Sequence, residues 1–450
     1  VLFVFGNLLK CIFRLLLQFQ AMPPLFKLKF PVIISLSLLL LFSCNDGPEP
    51  IKLTPEEIDF RNQIVTVMNY WYLWNDQVPE VNINDYATSQ DLMDAMINNE
   101  FDRWSYVTDA AAFDQYFSQG TYAGHGFGIR FDTDGALRIT FVYPGSPADQ
   151  SGVTRGFEVL EINGRAASTI NNIDEALGED VEGVTNQFKM RNTEGEVVDV
   201  EISKSEVNIV TVLDRRIIEQ NGQKIGYLVF NNFIERATDD LKEAFSFFAT
   251  EGVDELVLDL RYNGGGILDI AVELSSMITN TTNAGDILVE VSHNDERVYN
   301  NKKYLFENQE VHLGLDRVVI ITTDASASAS EVVVNCLKPY INVVTIGSTS
   351  YGKPVGSYGF RYEGNIISPI SFRVVNVEGK ADYFEGLPVN SQVADDITSN
   401  FGNPEEACLK EALYYLETGG FNNSGSRISP ALERANQQLM RGFRAEIGAF

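Results

Sequence analysis

The sequence predicts a multi-domain α/β protein, with a helical segment in front, a small β-rich module in the middle and an α/β domain behind. Three observations carry this. From Val207 onward, apolar runs of strand length alternate with amphipathic runs of helical spacing, as expected of a largely parallel sheet with helical crossovers. Between Ser118 and Ser205 the chain changes to short alternating runs broken by glycine turns. Ahead of both, residues 54–117 carry apolar side chains near helical intervals.

In chain order, the first informative stretch is MPPLFKLKFPVIISLSLLLLFSC, residues 22–44. Lys27 and Lys29 precede an apolar run from Val32 to Phe42, and Ser43-Cys44 closes it. A basic start, a short apolar stretch and a small residue before the cut describe a secretory signal; a membrane-spanning helix needs about 20 apolar residues. LFSC resembles a bacterial lipoprotein box, which implies lipidation of Cys44, a membrane anchor through that lipid and a place in the cell envelope, periplasmic or outer-membrane associated. Residues 1–21 read as an upstream extension of the reading frame, 22–43 as the signal peptide and 44–53, containing NDGPEP, as a polar tether. Of the cysteines, Cys336 and Cys408 fall in the folded part, where they either pair or stay as separate buried thiols.

The run TPEEIDFRNQIVTVMNYWYLW opens with Thr54-Pro55-Glu56-Glu57, an N-cap, an N1 proline and an acidic first turn. Ile58, Ile64, Val65, Met68, Trp71 and Tyr72 then form the apolar stripe of a helix, a packing feature rather than a ligand site. In the α/β region, IGYLVF (225–230), ELVLDL (255–260), RVVIITT (317–323) and NVVTIG (342–347) are the expected buried strands; ATDDLKEAFSFFAT and LDIAVELSSMI are helices between them. After Thr418, GGFNNSGSRISP is a linker, and a basic amphipathic tail follows to residue 450. A net charge of −28 argues against a nucleic-acid partner, because phosphate binding needs clustered Lys and Arg. With 44% hydrophobic and 21% charged residues the chain has a globular composition.

Residues 118–205 look like a PDZ domain. The resemblance rests on Gly126, Phe127, Gly128 and Ile129, then Pro144-Gly-Ser-Pro-Ala148, Gly152 and Ile162-Asn-Gly164. It implies a groove at Gly126–Ile129 that takes an extended peptide as an added strand. The acidic residue expected after the Arg155-Gly156 turn is replaced by Phe157.

Three segments of the α/β domain, taken as 206–417, carry chemistry if they converge: Asp259-Leu-Arg-Tyr-Asn-Gly-Gly-Gly266, Asp324-Ala-Ser-Ala-Ser-Ala-Ser-Glu331 and Ser348-Thr-Ser-Tyr-Gly-Lys-Pro-Val-Gly356. Alone, each has an ordinary explanation: a glycine turn, a Ser328/Glu331 capping box and a surface lysine. In this order behind a PDZ-like module they resemble the carboxyl-terminal processing (tail-specific) serine peptidases, over roughly residues 118–400, with Glu385-Gly-Leu-Pro388 adding to the likeness. The N-terminal WYLW and FDRWSY also look like exported bacterial members.

That resemblance implies a crotonase/Clp-protease-like α/β catalytic domain and a serine endopeptidase acting on unfolded or C-terminal peptide segments. Ser328 would be the nucleophile and Lys353 the general base, so Lys353 has to be largely buried, which favours the neutral amine. The backbone amides of Gly265 and Ala329 would form the oxyanion hole. Gly264 stands where the family often has proline. Ser357 stands where many members carry a lysine-orienting glutamine, which leaves a catalytically silent peptide-binding scaffold as the alternative. No cofactor is implied, and the chain shows no clustered metal-ligand pattern. A histidine triad would have to use His125, His293 or His312, none of which sits in a family motif. A crotonase-like small-ligand enzyme would need a deep apolar pocket instead of an open peptide groove.

Overall fold

The computed structural model describes residues 52–279, 284–422 and 429–438. The signal region, Cys44 and the tether to residue 51 lie outside the described residues. Among the described residues no helix is long and apolar enough to cross a membrane.

Helix α1 (Pro55–Trp71) starts where the sequence places it. The Thr54 hydroxyl accepts from the Glu57 amide and the Glu57 carboxylate accepts from the Thr54 amide, a reciprocal cap. Its buried face is Arg61, Ile64, Val67 and Met68. Ile58, expected on that face, is 39% exposed. Arg61 takes an inward place because its guanidinium donates to the carbonyls of Ile83, Tyr86 and Ala87, closing the following loop onto the helix. This helical region has no core to itself. Ile64, Met68, Tyr72, Leu92 and Trp104 share one apolar cluster with Ala325, Ala327, Tyr351 and Val355, so the N-terminal segment packs directly on the two loops that carry the serine run and Lys353. The strand β1 (Tyr106–Asp109) extends the contact by pairing antiparallel with Asn365–Ser368.

The β-rich module is bracketed by β2 (Thr121–Gly124), which opens it, and by a closing strand at 205–208. Inside lie β3 (Phe127–Phe131), β4 (Leu137–Val142), β5 (Glu158–Ile162), β6 (Thr185–Arg191) and β7 (Val197–Ser203), hydrogen-bonded in that order with β3 at the edge. The closing strand β8 (Ser205–Asn208) pairs with β2 from Thr121↔Asn208 to Gly124↔Ser205, so the chain enters and leaves the module side by side. Phe127, Ile139, Phe188 and Met190 centre its own apolar core.

The α/β domain is built on β9 (Val212–Gln220), β10 (Gln223–Phe230), β11 (Glu255–Asp259), β12 (Arg317–Thr322), β13 (Asn342–Gly347) and a short β14 (Ser391–Gln392), in that spatial order. The β9–β10 pair is antiparallel and the rest are parallel. Alternate side chains face opposite sides. Leu228, Leu258 and Ile320 pack against α2 (Ala237–Glu251), α3 (Leu268–Ile278) and α4 (Ala329–Leu337). Tyr227, Val257, Ile321 and Ile346 pack against α5 (Ala407–Thr418). Both layers are closed, which explains why these strands read as unbroken apolar runs. Cys336 lies in the first layer and Cys408 in the second, both buried and both free thiols.

Two arginines fasten the module to this domain. Arg155 donates to Thr140 O within the module and to the Tyr262 hydroxyl, Ser399 O and Asp396 O across the junction. Arg130 of β3 forms a buried ion pair with Asp324. Behind Arg155, the fully buried Arg261 is held by Asp259, Asp395 and Glu406.

Inside the module, His125 is fully buried, stacked on Phe127, with Nε2 2.8 Å from Asn186 Oδ1. Burial, helped by the Lys204 ammonium, pushes its imidazole down to about 4. The unfolded chain, with a histidine near about 6.5, therefore takes up the proton first. Stability is full above that pH and falls as the pH drops toward about 4. The expected loss approaches about 3 kcal/mol, measured as the difference in acid sensitivity between the native chain and His125→Phe in urea unfolding at pH 7 and pH 4.

Candidate active site

The three glycine- and serine-rich segments converge, and their own hydrogen bonds bring them together. β11 ends at Asp259 and β12 at Thr322, so their parallel pairing (Leu258↔Ile320) delivers both following loops to one end of the sheet, where open α/β sheets place their sites. Ser326 Oγ donates to Leu260 O (2.8 Å) and Ser330 Oγ to Asn263 O (2.9 Å). The Ala327 amide also donates to Asn263 O (3.1 Å), and the Tyr351 amide to Ser326 O (3.0 Å). The outer serines thus stitch the loop down. From Thr323 to Ser330, Ser328 alone is not buried.

Ser328 has φ 53° and ψ −114° at the start of α4. A non-glycine residue there costs on the order of 1–3 kcal/mol and persists only where its surroundings over-determine it. They do so here. A Cβ on Gly265 (φ +104°) would lie 2.7 Å from Ser328 Cβ, 2.8 Å from Ala327 O and 2.9 Å from Ala329 N, so only glycine lets the two backbones approach. The sharp strand-to-helix turn lifts the hydroxyl out of the loop, the geometry of a nucleophile elbow.

The fixture between the loops is Glu331, in the first turn of α4 and fully buried. Its carboxylate accepts from the amides of Ser328 (2.9 Å), Gly352 (2.7 Å) and Lys353 (2.8 Å) and from the Ser350 hydroxyl. Burial pushes this carboxyl above the usual carboxylate range, against the Ser350 hydroxyl and the three amides, which pull it down. The capping-box spacing is therefore used, and the glutamate also holds the lysine loop. Lys353 is 5% exposed, with Nζ 6.0 Å from the centre of the Trp104 ring.

Ser328, Ala329 and Lys353 line one cleft of about 440 Å³, together with Gly266, Ile267, Val332, Ser357 and Phe372. Ser357, considered above as a lysine-orienting group, lies on the strand Val355–Ser357. Gly265 does not line the cleft, and its amide donates to Asn263 Oδ1 (2.9 Å) within its own turn. Gly266, which the sequence reading passed over, does line it. In the bridge to Phe233 the bonds are made by Gly265 O (3.1 Å) and the Ile267 amide (2.7 Å), which turns the N–H of Gly266 to the other side. The signal for it was the third glycine of NGGG: its Cβ would fall 2.3 Å from Phe233 O. Gly126–Ile129 sit in the module, at and before the edge strand β3, apart from this cleft. None of the three histidines lines the cleft. A hydroxyl on a strained turn, a buried amine and small-residue backbone amides in one cleft can perform acyl transfer.

Glu331→Gln keeps the shape and puts an NH2 among donors. It should lower the unfolding free energy by roughly 3 kcal/mol, measured by urea unfolding, with Ser350→Ala losing less.

Two family models match the chain: the S41 peptidase N-terminal domain over residues 59–106 and peptidase family S41 over residues 224–383. The carboxy-terminal processing protease CtpA of Bacillus subtilis is 25% identical over 262 residues, covering 57% of this chain and 53% of its own length. The "Probable CtpA-like serine protease" of Staphylococcus aureus strain COL is 26% identical over 326 residues, covering 70% of this chain and 62% of its own. The chain thus spans between half and two thirds of the length of these curated relatives. A solved structure from Bacteroides fragilis, named "Putative S41 protease", superposes with a TM-score of 0.66 at 28% identity, covering 83% of this chain and 99% of that one. With the fold, the segment order and these matches in agreement, residues 224–383 form a peptidase family S41 domain, preceded at 59–106 by the N-terminal domain of that family.

Proposed function

We propose that this protein is a serine endopeptidase that cleaves unfolded or C-terminal peptide segments through Ser328 and Lys353. The observation that carries the reading is Ser328 itself: a non-glycine residue held at φ 53°, the one residue of its loop left unburied, in a cleft shared with Lys353. In the proposed reaction Ser328 Oγ attacks the scissile carbonyl carbon while its proton passes to Lys353 Nζ. The oxyanion is met by the amides of Ala329 and Gly266. Collapse breaks the C–N bond, and Lys353 returns the proton to the leaving amine. Water then repeats the sequence on the acyl-enzyme.

The module at 121–208 is assigned to substrate capture as a PDZ-like domain, because β3 is a terminal strand of its sheet and follows the Gly126 turn. A peptide would add to that edge by main-chain hydrogen bonds. The signal-like residues 22–43 and Cys44 support an exported protein held at a membrane by a lipid.

The direct test is cleavage of casein by the chain from Asn45 onward. Ser328→Ala and Lys353→Ala should each lower cleavage by at least about 1,000-fold with unfolding curves unchanged in shape. Peptide binding without cleavage by the parent chain would instead assign a silent scaffold, and cleavage surviving in Ser328→Ala would reject the nucleophile. Gly265→Ala is a separate check: its methyl group would press on Ser328 and Ala329, so cleavage should fall about 100-fold or more while casein still competes for peptide binding.

A further inference from the structure

The C-terminal helix α6 (Pro430–Gln438) follows a glycine-rich connection from α5 and seats on the β-rich module. Its contact is specific. Asn436, 1% exposed, accepts the Phe131 amide at Oδ1 (2.8 Å) and donates Nδ2 to Phe131 O (3.1 Å). One carboxamide thereby satisfies both backbone groups of one residue, the pair of bonds that a neighbouring strand would make.

Phe131 lies on β3, the terminal strand of the module's sheet. On the β4 side, Ile139, the partner of Ile129, gives its amide and carbonyl to Phe157 and Gly156 of the next segment. The Ile129↔Ile139 pair is therefore not bonded across β3–β4, and alternation turns the backbone groups of both Ile129 and Phe131 to the free edge. Leu432 of α6 faces the β3–β4 turn, where a Cβ on Gly135 would lie 3.6 Å from its Cδ2. Asn436 also lines a small recess with Arg130 and Asp324, whose ion pair joins the module to the serine loop.

We propose that helix α6 is this chain's own occupant of the β3 edge, an internal cap that an incoming peptide has to displace. The proposal rests on the reading of that edge as the peptide-capturing strand. Helix and peptide exclude each other because Phe131 has one N–H and one outward carbonyl direction, and Asn436 uses both. A short tether sets an effective concentration on the order of millimolar, so weak free peptides would be kept out while a long unfolded segment bound at several points could compete.

The experiment uses the chain from Asn45 to Phe450 with Ser328→Ala, to prevent turnover, alone and with Asn436→Ala. A second form ends at Asn422. Hydrogen exchange reads the Phe131 amide, and fluorescence anisotropy reads a labelled short apolar peptide with a free C-terminal carboxylate. Loss of Phe131 protection in both altered forms, with peptide affinity about tenfold higher than in the parent, is the expected result. Equal Phe131 exchange in all three forms would overturn the proposal, since the helix would then not occupy the edge. Protection lost but peptide affinity unchanged would also overturn it, leaving peptide capture intact at another surface. Peptide binding absent from every form would remove the peptide-edge reading itself, and the competition with it.

Discussion

The site depends on a single buried carboxylate. Glu331 accepts from the amide of Ser328 and from the amides of Gly352 and Lys353, so one side chain fixes the backbones of both loops. Those loops belong to successive strand ends, β12 and β13, and nothing in sheet pairing alone would set the distance between them. A buried anion has a steep cost unless it is fully hydrogen-bonded, and that cost is what makes the arrangement rigid. Any movement of the lysine loop away from the serine loop would strand a charge in the interior.

The surroundings supply the rest of the constraint. The aromatic N-terminal segment covers the back of both loops, with Trp104 and Tyr351 in one cluster with Ala325 and Ala327. Beneath the DLR strand end, Arg261 is fully enclosed by Asp259, Asp395 and Glu406. Such a cluster adds little net stability over an apolar core of equal volume, but it admits one geometry. It also ties the strand end to the C-terminal segment on which Arg155 docks. The module, the DLR loop and the 395–406 segment are thus held by a chain of charges running from Arg155 to Glu406.

Much of this was legible in the sequence. The parallel strands read as apolar runs because both faces of the sheet are covered, and the caps of α1 and α4 announce themselves by residue type and spacing. The serine segment was legible as a strand-to-helix turn, and the alternation of serine with alanine is now explained: Ser326 and Ser330 point down into hydrogen bonds, and Ser328 points out. Other features were not legible because they depend on long-range contacts. Arg130 and Asp324 are 194 residues apart in the chain, and no local pattern marks either as a partner. Helix α6 shows only a polar run, PALERANQQ, and its contact with Phe131 is made by one asparagine that no periodicity singles out. The choice between Gly265 and Gly266 turned on which amide Asn263 takes, a detail of a three-residue turn.

The β2–β8 ribbon has a consequence for how this architecture can be varied. Because Thr121 and Asn208 are paired neighbours, the segment between them begins and ends at one place, and the remaining chain could be rejoined there by a short turn without stretching any element of the α/β domain. In that sense the module is a plug-in whose removal or exchange is topologically free. Its cost is electrostatic instead: a replacement that lacked counterparts of Arg130 and Arg155 would leave Asp324 and Asp395 short of a buried partner. A lineage can therefore exchange the module readily while being held to two arginines at its base.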